Sequence, residues 1–158
     1  MSPYADGTTV TVEKSIAEVR RMLAANGATH YAYGSSPNGE VVQFAVDGRF
    51  YRFDVSAVDA KAMKADFLAE NESAWNVKTR ADRIAWDIRA QAEHRRRWRA
   101  RVLWLKALLE FMDEVPLEQS LLANLVLPDG STFGGWAADQ IDAMYDGGKM
   151  PPLLTSGR

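Results

Sequence analysis

The chain has no cysteine and only two histidines among 158 residues. The first absence excludes a disulfide framework, thiolate metal ligands and a cysteine nucleophile, and it suits a reducing compartment. His30 and His94 stand far apart in neither HxH nor HxxxH spacing, so no metal site is expected. Long apolar runs are missing too, and none approaches the ~18 residues that a membrane span needs. The opening stretch MSPYADGTTVTVEKS has neither a basic start nor an apolar core, and it does not read as a signal peptide. These absences give the expectation of a soluble cytoplasmic protein with no membrane attachment. Catalytic patterns are equally scarce. The glycines 130, 134 and 135 lack the lysine of a phosphate loop, the serines lack a nucleophile elbow, and the carboxylates Asp113/Glu114 and Asp139/Asp142 have the spacing of a solvated helix surface. No catalytic residue, metal or cofactor is expected, and the chain reads as a non-enzyme.

What the sequence does have is a concentration of positive charge. Residues 78–106 hold ten Lys and Arg against three Asp and Glu, in a chain whose net charge is −2. The flanks compensate: residues 1–77 carry seven basic and ten acidic groups, and residues 107–158 carry two and eight. Clustered guanidinium groups raise the local potential and bind phosphate bidentately. The candidate nucleic-acid or phosphate ligands are therefore Arg95, Arg96, Arg97, Arg99 and Arg101, with Arg89 upstream. A second explanation stands beside this one. The same arginines can pair with Glu93, Glu110, Asp113 or Glu114, or with the acidic C-terminal part of this chain or a neighbouring copy.

With 47% apolar and 25% charged residues the composition is globular, and the length suits one ordinary core. Residues 8–12 (TTVTV) are β-branched and predict a strand. Residues 13–26 predict a helix with Ile16, Val19 and Leu23 on one face, stopped by Gly27. A strand over 29–34 follows. Then residues 40–46 and 49–55 flank Asp47-Gly48, the chemistry of a type I′ hairpin. A two-residue loop sets Phe44 opposite Tyr51 and Val42 opposite Phe53, so Val42, Phe44, Val46, Tyr51 and Phe53 share the face a helix covers.

Past Val55 the pattern turns helical. A helix over 56–71 begins at a Ser56 cap, and another runs from about Ser73 to Met112 with an apolar stripe through Trp98, Val102, Leu105 and Leu109. On that helix Arg95, Arg96 and Arg99 are expected roughly opposite the stripe. Pro116 ends it. Residues 125–127 form a short strand, 128–130 a turn, and a last helix from Ser131 or Thr132 turns Trp136, Ile141, Met144 and Tyr145 inward, stopped by Gly147-Gly148 before an extended tail. The expectation is an α+β fold: a β-α-β-β-β module at 1–55, a helical region at 56–115, and a strand-turn-helix at 116–158. Trp104 and Trp136 are assigned to the core. On the outer face of the sheet, Phe50 with Arg52 beside it is the candidate platform for stacking a base.

Three stretches carry a resemblance: residues 8–34, residues 95–110 (RRRWRARVLWLKALLE) and residues 125–154 (LVLPDGSTFGGWAADQIDAMYDGGKMPPLL). Together they resemble a group of small uncharacterised proteins of phages and prophages, with a basic Trp-containing helix, a Leu-Pro-Asp-Gly turn before a helix, and a Met-Pro-Pro-Leu-Leu ending. The resemblance implies a phage-type origin and two competing roles: a DNA-binding accessory of replication or recombination, or an antagonist of bacterial immunity that binds a host protein or sequesters a nucleotide signal. From the residues the leading expectation is an oligomeric, non-enzymatic protein that binds nucleic acid, single strands especially. A third reading is a structural oligomer whose basic helix pairs with acidic segments.

Overall fold

The computed structural model describes residues 5–111 and 114–146. Its first element is a helix. Thr11 caps α1 (Val12–Ala25) by accepting a hydrogen bond from the Lys14 amide at 3.3 Å, and Glu13 adds a favourable negative charge to the first turn. The strand expected at residues 8–12 is therefore not formed. Among the described residues its β-branched side chains have no neighbouring strand to pair with, and Thr11 and Val12 are taken up by the helix start. At the other end Gly27 turns left-handed (φ +87°), and the Ala28 amide closes the helix on the Leu23 carbonyl at 3.0 Å.

Three antiparallel strands follow in the order β1 (His30–Ser36), β2 (Gly39–Val46), β3 (Arg49–Ser56). The β2–β3 turn is the expected one, with Asp47 at φ +49° and Gly48 at φ +76°. Its register pairs Phe44 with Tyr51 and Val42 with Phe53, so Val42, Phe44, Val46, Tyr51, Phe53 and Val55 all bury on one face.

Two helices cover that face. α1 presents Val19 and Leu23, and the long α4 (Trp86–Glu110) presents Trp98, Val102 and Leu105, all buried. Leu117 and Leu121, from the short α5 (Leu117–Ser120) and the residue after it, join the same core. Residues from all three expected segments thus share one interior. The α+β expectation holds, with the module reading α-β-β-β.

In chain order α2 (Ala60–Glu70) and α3 (Val77–Asp82) come between β3 and α4. Asp59, not Ser56, caps α2, accepting from the Lys61 amide at 2.8 Å. The single helix expected from Ser73 is broken at residues 83–85. There the Trp86 indole N–H donates to the Ala81 carbonyl at 2.8 Å, taking the acceptor that an unbroken helix would give to residue 85. The Trp86 ring also packs on Phe67 of α2, at 5.5 Å between centroids.

Leu125 returns to the sheet edge through a bridge to Tyr51, and Val126 bridges Thr132 across the following turn, both too short to form the expected strand. Asp129 and Gly130 (φ +83°) make the turn, and Thr132 Oγ1 accepts from the Gly135 amide at the head of α6 (Phe133–Asp146). Gly134 lets α6 approach the 3₁₀ turn Leu122–Asn124, since a Cβ there would lie 2.8 Å from the Ala123 carbonyl. Beyond that contact α6 departs from expectation. Trp136, Ile141, Met144 and Tyr145 are 49–67% exposed rather than inward. Trp104 is partly buried against the core, with its ring edge-on to Phe53 at 5.7 Å. The expected glycine stop at 147–148 and the extended tail lie outside the described residues.

Candidate functional site

The arginines of α4 divide into braces and available cations. Glu93 receives Arg96 through two hydrogen bonds of 2.6 Å and Arg97 through one of 2.9 Å. Arg97 reaches on to the carbonyls of Ser56 and Ala57, fastening α4 to the end of β3. Arg99 pairs with Glu18 of α1 at 2.6 Å. Arg99 and Arg95 therefore flank the buried stripe on its α1 side instead of lying opposite it, and the pairing partners are Glu93 and Glu18 rather than Glu110. Asp113 is outside the described residues. Arg101 lies over Trp104 and Arg89 over Trp86, at 5.8 and 5.6 Å from the ring centroids. Arg52 donates to the Gly130 carbonyl at 3.0 Å and so supports the C-terminal turn. Phe50 is 46% exposed, tilted against His30 at 6.2 Å. It sits on the outer face of the sheet, away from the α4 arginines.

One place gathers available cations. A cleft of about 610 Å³ runs between the segment leading into α1, Met63 of α2 and one side of α4. Arg89, Arg95 and Arg96 enter it from α4, and Thr8, Thr9 and Thr11 from the opposite wall. Arg95 makes no side-chain hydrogen bond or ion pair among the described residues, and neither does Arg89, whose guanidinium lies over the Trp86 ring. Arg96 is held by Glu93 and faces Asp6 across the cleft, and both carboxylates raise the pKa of its guanidinium. The local charge thus favours an anion only modestly, and Arg89 and Arg95 are the groups with capacity to spare. α1 begins at the cleft wall, where Thr11 already caps the Lys14 amide and Glu13 offsets the positive end of the helix.

Behind α4 lies a second constellation that the sequence did not announce. Glu40, at the start of β2, accepts at 2.6 Å from the Tyr33 hydroxyl, the Trp98 indole and His94 Nε2. Burial alone would push its carboxyl up. The three donors outweigh that effect and hold it below the ordinary carboxylate value of 4.5. An ionised carboxylate only accepts, so the Nε2 of His94 carries the proton. Burial and the bond to Glu40 together push the Tyr33 phenol up to about 12. The one sequence signal for this network is the i,i+4 spacing of His94 and Trp98, which puts a polar ring beside a buried one on α4.

Among the described residues no group of three or more His, Asp or Glu side chains is arranged to hold a metal ion. No described helix is long and apolar enough to cross a membrane. No protein-family model, curated protein or solved structure matches the chain.

Proposed function

We propose that the protein is a non-enzymatic binder of nucleic acid, single strands in particular, and that phosphates enter the cleft between α1 and α4. The observation that supports this reading is the convergence of Arg89, Arg95 and Arg96 on a cleft whose other wall carries the hydroxyls of Thr8 and Thr9. Guanidinium forks and hydroxyls supply the donors a phosphate needs, and the open cleft lets a chain of nucleotides pass through. Arg97, Arg99 and Arg52 act as structural braces in this reading, and the backbone contacts belong to Arg89 and Arg95. The test is a salt titration of fluorescent single-stranded DNA binding. Replacing Arg89 and Arg95 by Ala should leave the fold intact and reduce the salt slope by roughly one unit for each phosphate that is no longer neutralised. An unchanged slope and affinity in a folded double variant would overturn the proposal.

The size of the cleft favours a second reading, sequestration of a single nucleotide, because 610 Å³ falls within the ~300–1,000 Å³ typical of small-ligand sites. Free mononucleotides and cyclic nucleotides separate the two. A sequestering protein binds them tightly and ignores long DNA, whereas a strand binder does the reverse.

A further inference from the structure

The wall opposite the α4 arginines carries an acid. Asp6 and Gly7 line the cleft ahead of Thr8 and Thr9, and the charge of Asp6 bears on the Arg96 guanidinium. A tight turn presents this carboxylate. Ala5 and Gly7 both take left-handed backbone, at φ +71° and +70°, and the Thr8 amide closes the turn on the Ala5 carbonyl at 3.3 Å. Asp6 Oδ1 accepts from the Gly7 amide at 3.0 Å, which orients the side chain. On the other side of the cleft, Glu93 takes one edge of Arg96 through Nε and Nη2. A guanidinium has five N–H donors, so the edge formed by Nη1 and Nη2 stays outside that pair.

We propose that Asp6 is a built-in competitor for the ligand's phosphate, a carboxylate gate that keeps Arg96 from joining Arg89 and Arg95 until the Ala5–Thr8 turn opens. The inference rests on the phosphate reading of this cleft and adds its regulation. A carboxylate and a phosphate are anionic acceptors for the same guanidinium edge, so they exclude one another there and repel at close range. The turn is built to give way. Alanine is strained in the left-handed region, the closing hydrogen bond is long, and Asp6 and Gly7 are exposed. Opening it leaves α1 intact, because the Thr11 cap lies beyond the turn.

The experiment is a double-mutant cycle on the full-length chain, read by salt titration of fluorescent single-stranded DNA binding. Asp6→Asn removes the charge but keeps an oxygen for the Gly7 amide. It should tighten binding by about threefold or more at ~50 mM salt and steepen the salt slope by roughly one unit, as Arg96 gains a phosphate. In an Arg96→Ala background the same change should gain less than about twofold, because the cation it releases is gone. Glu110→Gln is the control for net charge. It is exposed and lies ~20 Å along α4 from Arg96, so it should shift affinity by less than about twofold. An equal gain from Asp6→Asn in both backgrounds, or from Glu110→Gln, would reduce Asp6 to bulk charge and overturn the gate. So would an Asp6→Asn chain that binds as the wild type does, even where replacing Arg89 and Arg95 weakens binding; the cleft reading then stands alone. If neither the wild type nor Asp6→Asn binds the strand at low salt, the cleft reading falls and takes the gate with it.

Discussion

Glu40 carries more of this molecule than any single arginine does. Its side chain is only 11% exposed and satisfies donors from β1 and α4 at once, so removing it leaves the indole N–H of fully buried Trp98 without its acceptor, while Tyr33 and His94 can still reach solvent. Glu40→Ala should destabilise the protein by about 1–3 kcal/mol, the cost of stranding the buried Trp98 indole N–H, measured by urea unfolding. The pH dependence has a definite sign. Glu40 and Glu93 both titrate lower in the folded chain than their ordinary value of 4.5, so their stabilisation is complete above that value. It is lost as pH falls through the depressed folded values. Melting temperature should therefore drop on acidification below about pH 4.5, and Glu40→Gln should flatten that drop. A Glu40→Gln variant with an unaltered acid limb would show that the network contributes nothing to acid stability. The arginines should separate in the same manner. Arg97→Ala frees two backbone carbonyls and a share of Glu93 and should cost about 1 kcal/mol or more. Arg95→Ala should stay within about 0.5 kcal/mol.

At the scale of elements, the β2–β3 hairpin was the most legible part of the chain. Alternation, one apolar face shared by two strands of matching length and an Asp-Gly turn all specify one register, and local information suffices for that. Gly48→Val forces a β-branched residue to φ +76° and should lower the melting temperature by several degrees, a loss on the order of 1–2 kcal/mol. The buried stripe of α4 was equally readable. Leu105 is fully buried, and Leu105→Ala should cost about 2–5 kcal/mol in denaturant melts. Residues 8–12 were misread because β propensity is silent about whether a partner strand exists, while capping by Thr11 depends only on the next few residues. The break before Trp86 was invisible for a related reason. No proline or glycine marks it, and the indole that takes the Ala81 carbonyl does so through its own packing on Phe67.

The whole molecule explains why the candidate site was only half legible. A run of arginines shows in sequence, but its partners do not: Glu18 stands 81 positions from Arg99, and Glu40 stands 58 from Trp98. Topology brings those carboxylates to α4 and turns part of a basic cluster into internal bracing. It also leaves Arg89 and Arg95 on a cleft whose opposite wall, Thr8 to Thr11, carried no phosphate signature of its own. The exposure of α6 was unreadable for the same reason. Its amphipathic pattern says that one face wants cover, and only the assembled chain shows that the described residues provide little of it.

The three bonds to Glu40 have a geometric consequence as well. A helix can rotate or slide against a sheet by small amounts while its apolar contacts adjust, because such contacts have no direction. A carboxylate gripped by donors from two elements does not permit this. Moving α4 by one residue swings His94 and Trp98 through 100° and takes both from the oxygens, and slipping β2 by one residue carries Glu40 to the outer face. Glu40 works as an indexing peg, fixing which turn of the longest helix meets which rung of the sheet. The arginines on α4 inherit their positions from that setting, so the cleft is aimed from the opposite side of the helix.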